Sequence, residues 1–367
     1  MGLTILSDEE NAIRDAARAM IRGEVAQHSV EYDEGAIYPR SNLELLGRHG
    51  YLGMIVDPEF GGAGATYLAQ TLVVESLAEV DPASAVVYEV HNSLHLESIW
   101  RFGTDAQRRR WLPDLCSGKA IGAFALSEAE AGSNAAALTT RARRVEGGYE
   151  LTGRKMFITG GGAADRYLVF ATVDPDQGAR GITAFIVNSQ APGLSFGPPM
   201  HKMGIRAALT SEVILDKVFV NEDDRLGQEG EGYSMALYLL DGGRIGIAAQ
   251  GIGIMAAALS RSLKYSRERH QFGRPIGDFE GVQWRLANMA TDLHAARLMT
   301  YEAARHREEG PAQRPLFAMA KLFSSEHAVR HAEDAIQIFG GYGYMTEFGV
   351  ERLLRDAKIT EIYEGTS

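Results

Sequence analysis

Several constellations in this 367-residue chain have spacings that could do chemistry. His91 with His95, and His327 with His331, stand at i and i+4, the spacing that puts two metal ligands on one helix face. Neither pair carries the glutamate of a metalloprotease motif, and no third ligand accompanies either. Both are read as surface or packing histidines, and no metal is expected. Gly251-Ile-Gly253-Ile-Met-Ala256 has the spacing of a dinucleotide fingerprint, but no strand precedes it and a helical pattern runs through it. The phosphate-binding turn cannot form there, so the glycines are read as sites of close helix packing. P-loop and serine-hydrolase motifs are absent from the sequence. Cys116 is the single cysteine; it excludes a disulfide framework and is expected in the core. Glu364, between Tyr363 and Gly365, reads on composition alone as a solvated glutamate at a helix end.

The elements that must position these residues fall into three blocks. Residues 1–120 read as helical. Ser7 and Glu10 form a capping-box pattern, and Ile13, Ala17, Met20 and Ile21 share one helical face. Turn residues from Pro58 to Gly64 precede helices near 67–80 and 83–102, the second opened by Asp81-Pro82. Residues 121–228 carry short β-rich runs at Tyr167–Val173, Ile182–Val187, Glu212–Leu215 and Val218–Val220. No crossover helix fits between them, so an antiparallel sheet or barrel is expected. In residues 229–367 helices return. Val282, Leu286, Met289, Leu293 and Ala296 trace one stripe, and a helix from about 315 should stop at Gly340-Gly341.

Composition narrows the function classes. With 45% hydrophobic and 23% charged residues the chain is ordinary for a soluble globular protein of two or three domains. A net charge of -11 and a pI near 5.5 argue against general nucleic-acid binding, which needs clustered cations. The runs Arg108–Arg110 and Arg141–Arg144 are read as solvated faces. No signal segment is evident, Leu6 stands where a myristoylation signal on Gly2 would need Ser or Thr, and no run looks long enough to span a bilayer. The expectation is a cytoplasmic protein without membrane insertion, or a matrix protein if a targeting segment has been removed.

Local runs then point to one family. Phe124-Ala-Leu-Ser-Glu-Ala-Glu-Ala-Gly-Ser133-Asn134 and Met156-Phe157-Ile158-Thr159-Gly160 resemble flavin-binding segments of acyl-CoA dehydrogenases. Arg267-Glu-Arg269-His-Gln-Phe272-Gly273 is similar to the family's Arg-x-x-Phe-Gly segment. Ala335-Ile-Gln337-Ile-Phe-Gly340-Gly341-Tyr-Gly343 and the run from Arg355 to Ser367, with Tyr363-Glu364-Gly365-Thr366, complete the set in order along the whole chain. The resemblance implies an α+β, mainly α, fold: an N-terminal helical domain, a middle β-barrel or sheet domain and a C-terminal four-helix bundle.

It further implies FAD as cofactor, a homotetramer built as a dimer of dimers, an acyl-CoA substrate and an electron-transfer flavoprotein as electron acceptor. The reaction would be α,β-dehydrogenation, with Glu364 taking the α-proton and flavin N5 the β-hydride. By the same resemblance Phe124, Leu126 and Ser127 would meet the isoalloxazine edge. Gly132 and Ser133 would meet a phosphate or the CoA moiety, and Phe157, Ile158 and Thr159 would lie along the flavin. Arg269 and Phe272 would meet pyrophosphate and adenine across a subunit contact, with Gln337, Gly340 and Gly341 at the adenosine end and Thr366 on a phosphate or the flavin. Asp241, Arg244, Tyr363 and Gly365 would serve the substrate. Some relatives carry the base on an earlier helix, just before an arginine; here that place is Gly243, which cannot abstract a proton. Other departures are Ala129-Glu130 for Pro-Gly, Asn134 for Asp, Phe157 for Trp and Glu280 for Gln. Short, branched or medium acyl groups are expected; the alternatives are an oxygen-using acyl-CoA oxidase and a silent acyl-CoA-binding scaffold.

Overall fold

The computed structural model describes residues 6–309 and 311–367; the Gly2 position lies outside them. Ser7 opens helix α1 (Asp8–Met20) with a complete capping box: its hydroxyl accepts from the Glu10 amide at 3.2 Å, and the Glu10 carboxylate accepts from the Ser7 amide at 2.7 Å. Short helices α2 (Ser29–Gly35) and α3 (Arg40–Arg48) follow. Helix α4 (Tyr67–Ala78) is buried on every side. Pro82 opens α5 (Pro82–Glu89), which continues through a π-helical stretch, Val90–Leu96, into α6 (Glu97–Phe102). Helix α7 (Asp105–Cys116) ends the block, with Cys116 buried as expected.

The middle block is one eight-stranded sheet. Its strands are β1 (Gly122–Ala125), β2 (Arg141–Val145), β3 (Gly148–Thr159), β4 (Arg166–Thr172), β5 (Ile182–Asn188), β6 (Leu194–Phe196), β7 (Thr210–Asn221) and β8 (Arg225–Leu226). The order is β6-β7-β3-β2-β4-β5-β8, with β1 also on β4. Two expectations need correcting. The sheet is mixed, because β1 and β2 both meet β4 in parallel. The crossover that the β1–β4 pairing requires is supplied by residues 126–165, which carry the β2–β3 hairpin in place of a helix. In addition, the runs 212–215 and 218–220 are one strand, because Lys217 takes a left-handed φ of 55° and the chain resumes pairing with β3 beyond it.

Helix α8 (Gly232–Glu268) is the axis of the C-terminal block. It is long and apolar enough to cross a membrane, contrary to the expectation that no run was; 89% of its most apolar window is buried inside the protein. Gly251 and Gly253 do the packing work expected of them. A Cβ on Gly253 would stand 2.5 Å from the Glu75 carbonyl of α4, and one on Gly251 2.9 Å from the carbonyl of Ser324. A small ribbon, β9 (His270–Gln271) with β10 (Arg274–Pro275), leads into α9 (Glu280–Arg305). Helices α10 (Arg314–Phe339) and α11 (Val350–Ala357) complete the bundle. Ser324 lies on α10, so α8 is clasped between α4 and α10 at these glycines.

Buried ion pairs fix α11 against the other blocks. Arg352 donates to Ser29 O at 2.8 Å and to Asp81 at 2.8 Å, and Arg355 donates to Asp33 at 3.0 Å. Asp356 accepts from the Ile205 amide of the sheet domain at 2.5 Å. The last ten residues leave α11 from this three-way junction, which sets where Glu364 can reach.

Candidate active site

The chain after α11 tightens into a 3₁₀ turn, Lys358–Glu361, and then reverses through two left-handed residues, Glu364 (φ 50°) and Gly365 (φ 97°). A left-handed glutamate is uncommon and persists only where its surroundings hold it. Two side chains do so. The Tyr363 hydroxyl donates to Gln250 Oε1, whose own amide donates to the Pro82 carbonyl at 2.9 Å. Lys321 Nζ on α10 donates to the Gly365 carbonyl and lies 3.3 Å from Ser367 Oγ.

The turn drives the Glu364 carboxylate onto α8 at Gly243, where Oε2 is 2.4 Å from the position a Cβ would take. Gly243 is therefore the space that admits the carboxylate. Oε2 is buried without a hydrogen-bond partner. Burial raises the carboxyl to about 7, against the pull of Arg244 and Lys321 in the other direction. A carboxylate near neutrality, with one oxygen left open, can take a proton from a weak carbon acid.

Asp241 and Arg244 pair at 2.6 Å, and the second Asp241 oxygen accepts from Arg314 at 2.7 Å. Asp241 is buried with both oxygens engaged; in this structure it orients two arginines and presents no oxygen to a ligand.

The two runs that resemble flavin-binding segments are brought together on the sheet domain. Phe124 packs edge-on against Phe170 at 5.1 Å, and Leu126 is buried. The Ser127 carbonyl accepts from the Met156 amide at 2.9 Å, which ties this run to β3. Register between β3 and β7 shifts between Lys155 and Ile158, and Phe157 adopts a φ of 61°. That bulge turns the Phe157 ring outward, 67% exposed, while Ile158 is buried and Thr159 half-buried. Gly132 and Ser133 form an exposed turn. Beneath them Glu128 accepts from Thr139, Thr140 and Lys155, and Lys155 also donates to the Leu126 carbonyl at 3.0 Å. Burial alone would raise Glu128, yet Lys155 and the threonines hold it at about 2. This buried clamp escaped sequence reasoning, whose only signal was a lysine in an otherwise alternating strand.

The remaining residues gather elsewhere. Arg269, Gly340 and Gly341 line a surface cleft with Tyr265, Phe339 and Tyr342, and the Arg269 guanidinium lies 5.3 Å over the Tyr342 ring. Gln337 is exposed near the end of α10, and Phe272 is 94% exposed. Thr366 is exposed beside the Glu364 turn. Arg269 follows Gly243 by 26 residues along α8, or about 39 Å at ~1.5 Å per residue. Within one chain the cleft is thus remote from Glu364.

The histidine pairs are structural. His91 accepts from the Gly122 amide at 3.0 Å and its Nε2 is 3.0 Å from the Leu115 carbonyl, while His95 Nδ1 is 3.0 Å from the Ala123 carbonyl. Burial lowers them to about 4 and about 3, so both are neutral props for β1. His327 bonds the Phe323 carbonyl and His331 faces Asp292. Among the described residues, no group of three or more His, Cys, Asp or Glu side chains is arranged to hold a metal.

Family models for the acyl-CoA dehydrogenase N-terminal, middle and C-terminal domains match residues 7–119, 123–218 and 230–367. The chain belongs to the acyl-CoA dehydrogenase family. It is 42% identical to an acyl-CoA dehydrogenase of Bacillus subtilis over 99% of this chain and 96% of that one. Its fold matches butyryl-CoA dehydrogenase from Megasphaera elsdenii with a TM-score of 0.96, at 40% identity over 100% of this chain and 96% of the other. A solved chain from work on the electron transferring flavoprotein of Acidaminococcus fermentans gives 0.97, at 41% identity over 100% and 96%. The family is one of oxidoreductase flavoproteins, and its helical, sheet and helical layers are those found here.

Proposed function

We propose that the chain catalyses FAD-dependent α,β-dehydrogenation of a short acyl-CoA thioester to the trans-2-enoyl-CoA, with Glu364 as the base. The observation that carries this is the Glu364 carboxylate, wedged against Gly243 with one oxygen buried and unpartnered and its pKa near 7. An α-proton of a thioester is weakly acidic, so the site must supply both a base active near neutrality and a polarised carbonyl. Glu364 receives the proton, and its amide donates to the thioester oxygen. Arg244 and Lys321 keep enough of the carboxylate ionised to act, while burial keeps it basic.

FAD, when bound, supplies the acceptor for the β-hydride. The residues fit a flat ring: the Phe157 bulge offers an exposed aromatic beside main-chain groups of Phe124, Leu126 and Ser127, with Ile158, Thr159, Gly132, Ser133 and Thr366 around it. Arg269, Phe272, Gln337, Gly340 and Gly341 would hold the pyrophosphate and adenosine, since an arginine fork suits a pyrophosphate. The ~39 Å between that cleft and Gly243 supports completion of each site by a neighbouring subunit. So do the exposed rings of Phe272, Tyr344 and Trp284. A homotetramer is the assembly we assign.

Tyr363 and Gly365 shape the substrate side. The likeness to butyryl-CoA dehydrogenase supports short acyl groups, and the relative from flavoprotein work supports an electron-transfer flavoprotein as acceptor. We place the protein in the cytoplasm. The test is direct: the purified protein should carry a flavin absorbance band that butyryl-CoA bleaches under anaerobic conditions. Colourless protein that FAD cannot reconstitute would overturn the proposal.

A further inference from the structure

The face of α8 that receives Glu364 also receives a second buried carboxyl. Gly243 and Gly246 are three residues apart and share that face. Glu364 Oε2 lies 2.4 Å from the Cβ position of Gly243; the two Glu89 carboxyl oxygens lie 2.1 and 2.3 Å from that of Gly246. Cβ positions at this spacing are about 5–6 Å apart. Glu89 therefore lies about one helical step from Glu364 on this face of α8.

Glu89 is 2% exposed, and its Oε1 has no hydrogen-bond partner. Two neighbours share the condition. The Tyr67 hydroxyl, 2.6 Å from the Cβ position of Gly242, is buried and unpartnered, as is Gln70 Oε1. Ser93 links the group: it accepts from Gln70 Nε2 at 2.9 Å and faces both Glu89 and Tyr67. The nearby cation, Arg307, spends Nη2 on Glu97 at 3.2 Å and on the Tyr238 carbonyl at 2.9 Å, while its Nε stands beside the Tyr67 hydroxyl at Gly242. Burial pushes the Glu89 carboxyl well above the usual carboxylate range. A buried acceptor without a donor is costly, and natural proteins rarely keep one without use. The Ser93 hydroxyl has one proton for two neighbours, Glu89 and Tyr67, so an alkyl chain ending here would leave the group short of a donor.

We propose that the acyl group this enzyme takes carries a hydrogen-bond donor, a hydroxyl or an amine, on its γ- or δ-carbon, and that Glu89, with Tyr67 and Gln70, receives it. The position is taken from the spacing of the two Cβ positions against which the carboxyl groups lodge: about 5–6 Å corresponds to roughly three or four bonds beyond the α-carbon. The inference rests on Glu364 being the base, since only that places the α-carbon.

The experiment compares kcat/KM for 4-hydroxybutyryl-, 5-hydroxypentanoyl- and freshly prepared 5-aminopentanoyl-CoA with pentanoyl-, hexanoyl- and glutaryl-CoA. At least one donor-bearing thioester should exceed its alkyl counterpart by at least about tenfold, because a site built to bond a hydroxyl rejects the analogue lacking it. Glu89→Leu should remove that advantage. Glu89→Gln separates the sources, since a hydroxyl keeps most of its advantage with an amide acceptor and an ammonium loses it. Tyr67→Phe should reduce the same preference, and the wild-type panel decides alone if the Glu89 variants lose flavin. Equal or faster turnover of the alkyl or glutaryl thioesters by the wild type overturns this proposal and leaves the dehydrogenase reading standing. Bleaching by none of the thioesters defeats that reading first.

Discussion

Replacing Glu364 by glutamine separates what the carboxylate does for chemistry from what it costs the fold. The side chain keeps its size and one acceptor oxygen, so Gly243 should admit it and the left-handed turn should survive. Turnover should not: a positioned general base contributes about 10²–10⁴-fold, and Glu364→Gln should slow anaerobic flavin bleaching by at least about 100-fold with FAD content unchanged. Stability should move the other way. Burial raises the carboxyl from 4.5 to about 7, so between those values the folded state holds a proton that the unfolded state has released. The wild type therefore loses stability as pH rises through this window, by up to about 3 kcal/mol at ~1.36 kcal/mol per unit. Glutamine has no such term. The variant should melt at a higher temperature than the wild type at pH 8 and at nearly the same temperature at pH 4.5. Undiminished bleaching, or a melting difference that does not change with pH, would refute the reasoning.

Other substitutions test the support of the turn and the remote cleft. Gly243→Ala puts a Cβ 2.4 Å from Glu364 Oε2; it should lower kcat at least about tenfold by displacing the base, with bound flavin retained on the absorbance spectrum. Lys321→Met removes one of the two cations that pull Glu364 down, so the acid limb of the pH–rate profile should shift to higher pH; an unshifted limb would remove Lys321 from the site. Arg269→Ala should raise the FAD dissociation constant at least about tenfold, as expected for a charge-assisted contact. Titration of the apoprotein measures it, and mixing this variant with Glu364→Gln should restore some activity if neighbouring subunits complete each other's sites.

Much of the fold was legible because it rests on local chemistry. The Ser7–Glu10 box, Asp81-Pro82, the α9 stripe and the Gly340 stop are written in a few adjacent residues each, and each stands where its pattern puts it. The alternation of helical and β-rich blocks was equally plain. What escaped depends on partners far away in the chain. The parallel placement of β1 on β4 is invisible locally, because any short β-rich run reads alike in either direction. Lys217 reads as a break between two strands until pairing with β3 carries the chain past it.

The site divides in the same way. The sequence by itself pointed to Glu364, through the resemblance of its Tyr-Glu-Gly-Thr context, and placed a glycine at 243 on α8 where some relatives carry a base, since both are matters of which side chain is present. Tertiary structure alone decided that Gly243 is where the carboxylate lodges, that Lys321 from α10 braces the Gly365 carbonyl, and that Asp241 is spent on two arginines. It also decided that Glu89 stands about one helical step from Glu364. The reason is physical: residue identity sets which protons and charges are available, but burial and the neighbours across a helix interface set their pKa and their aim. Those neighbours come from segments tens of residues to more than a hundred residues apart.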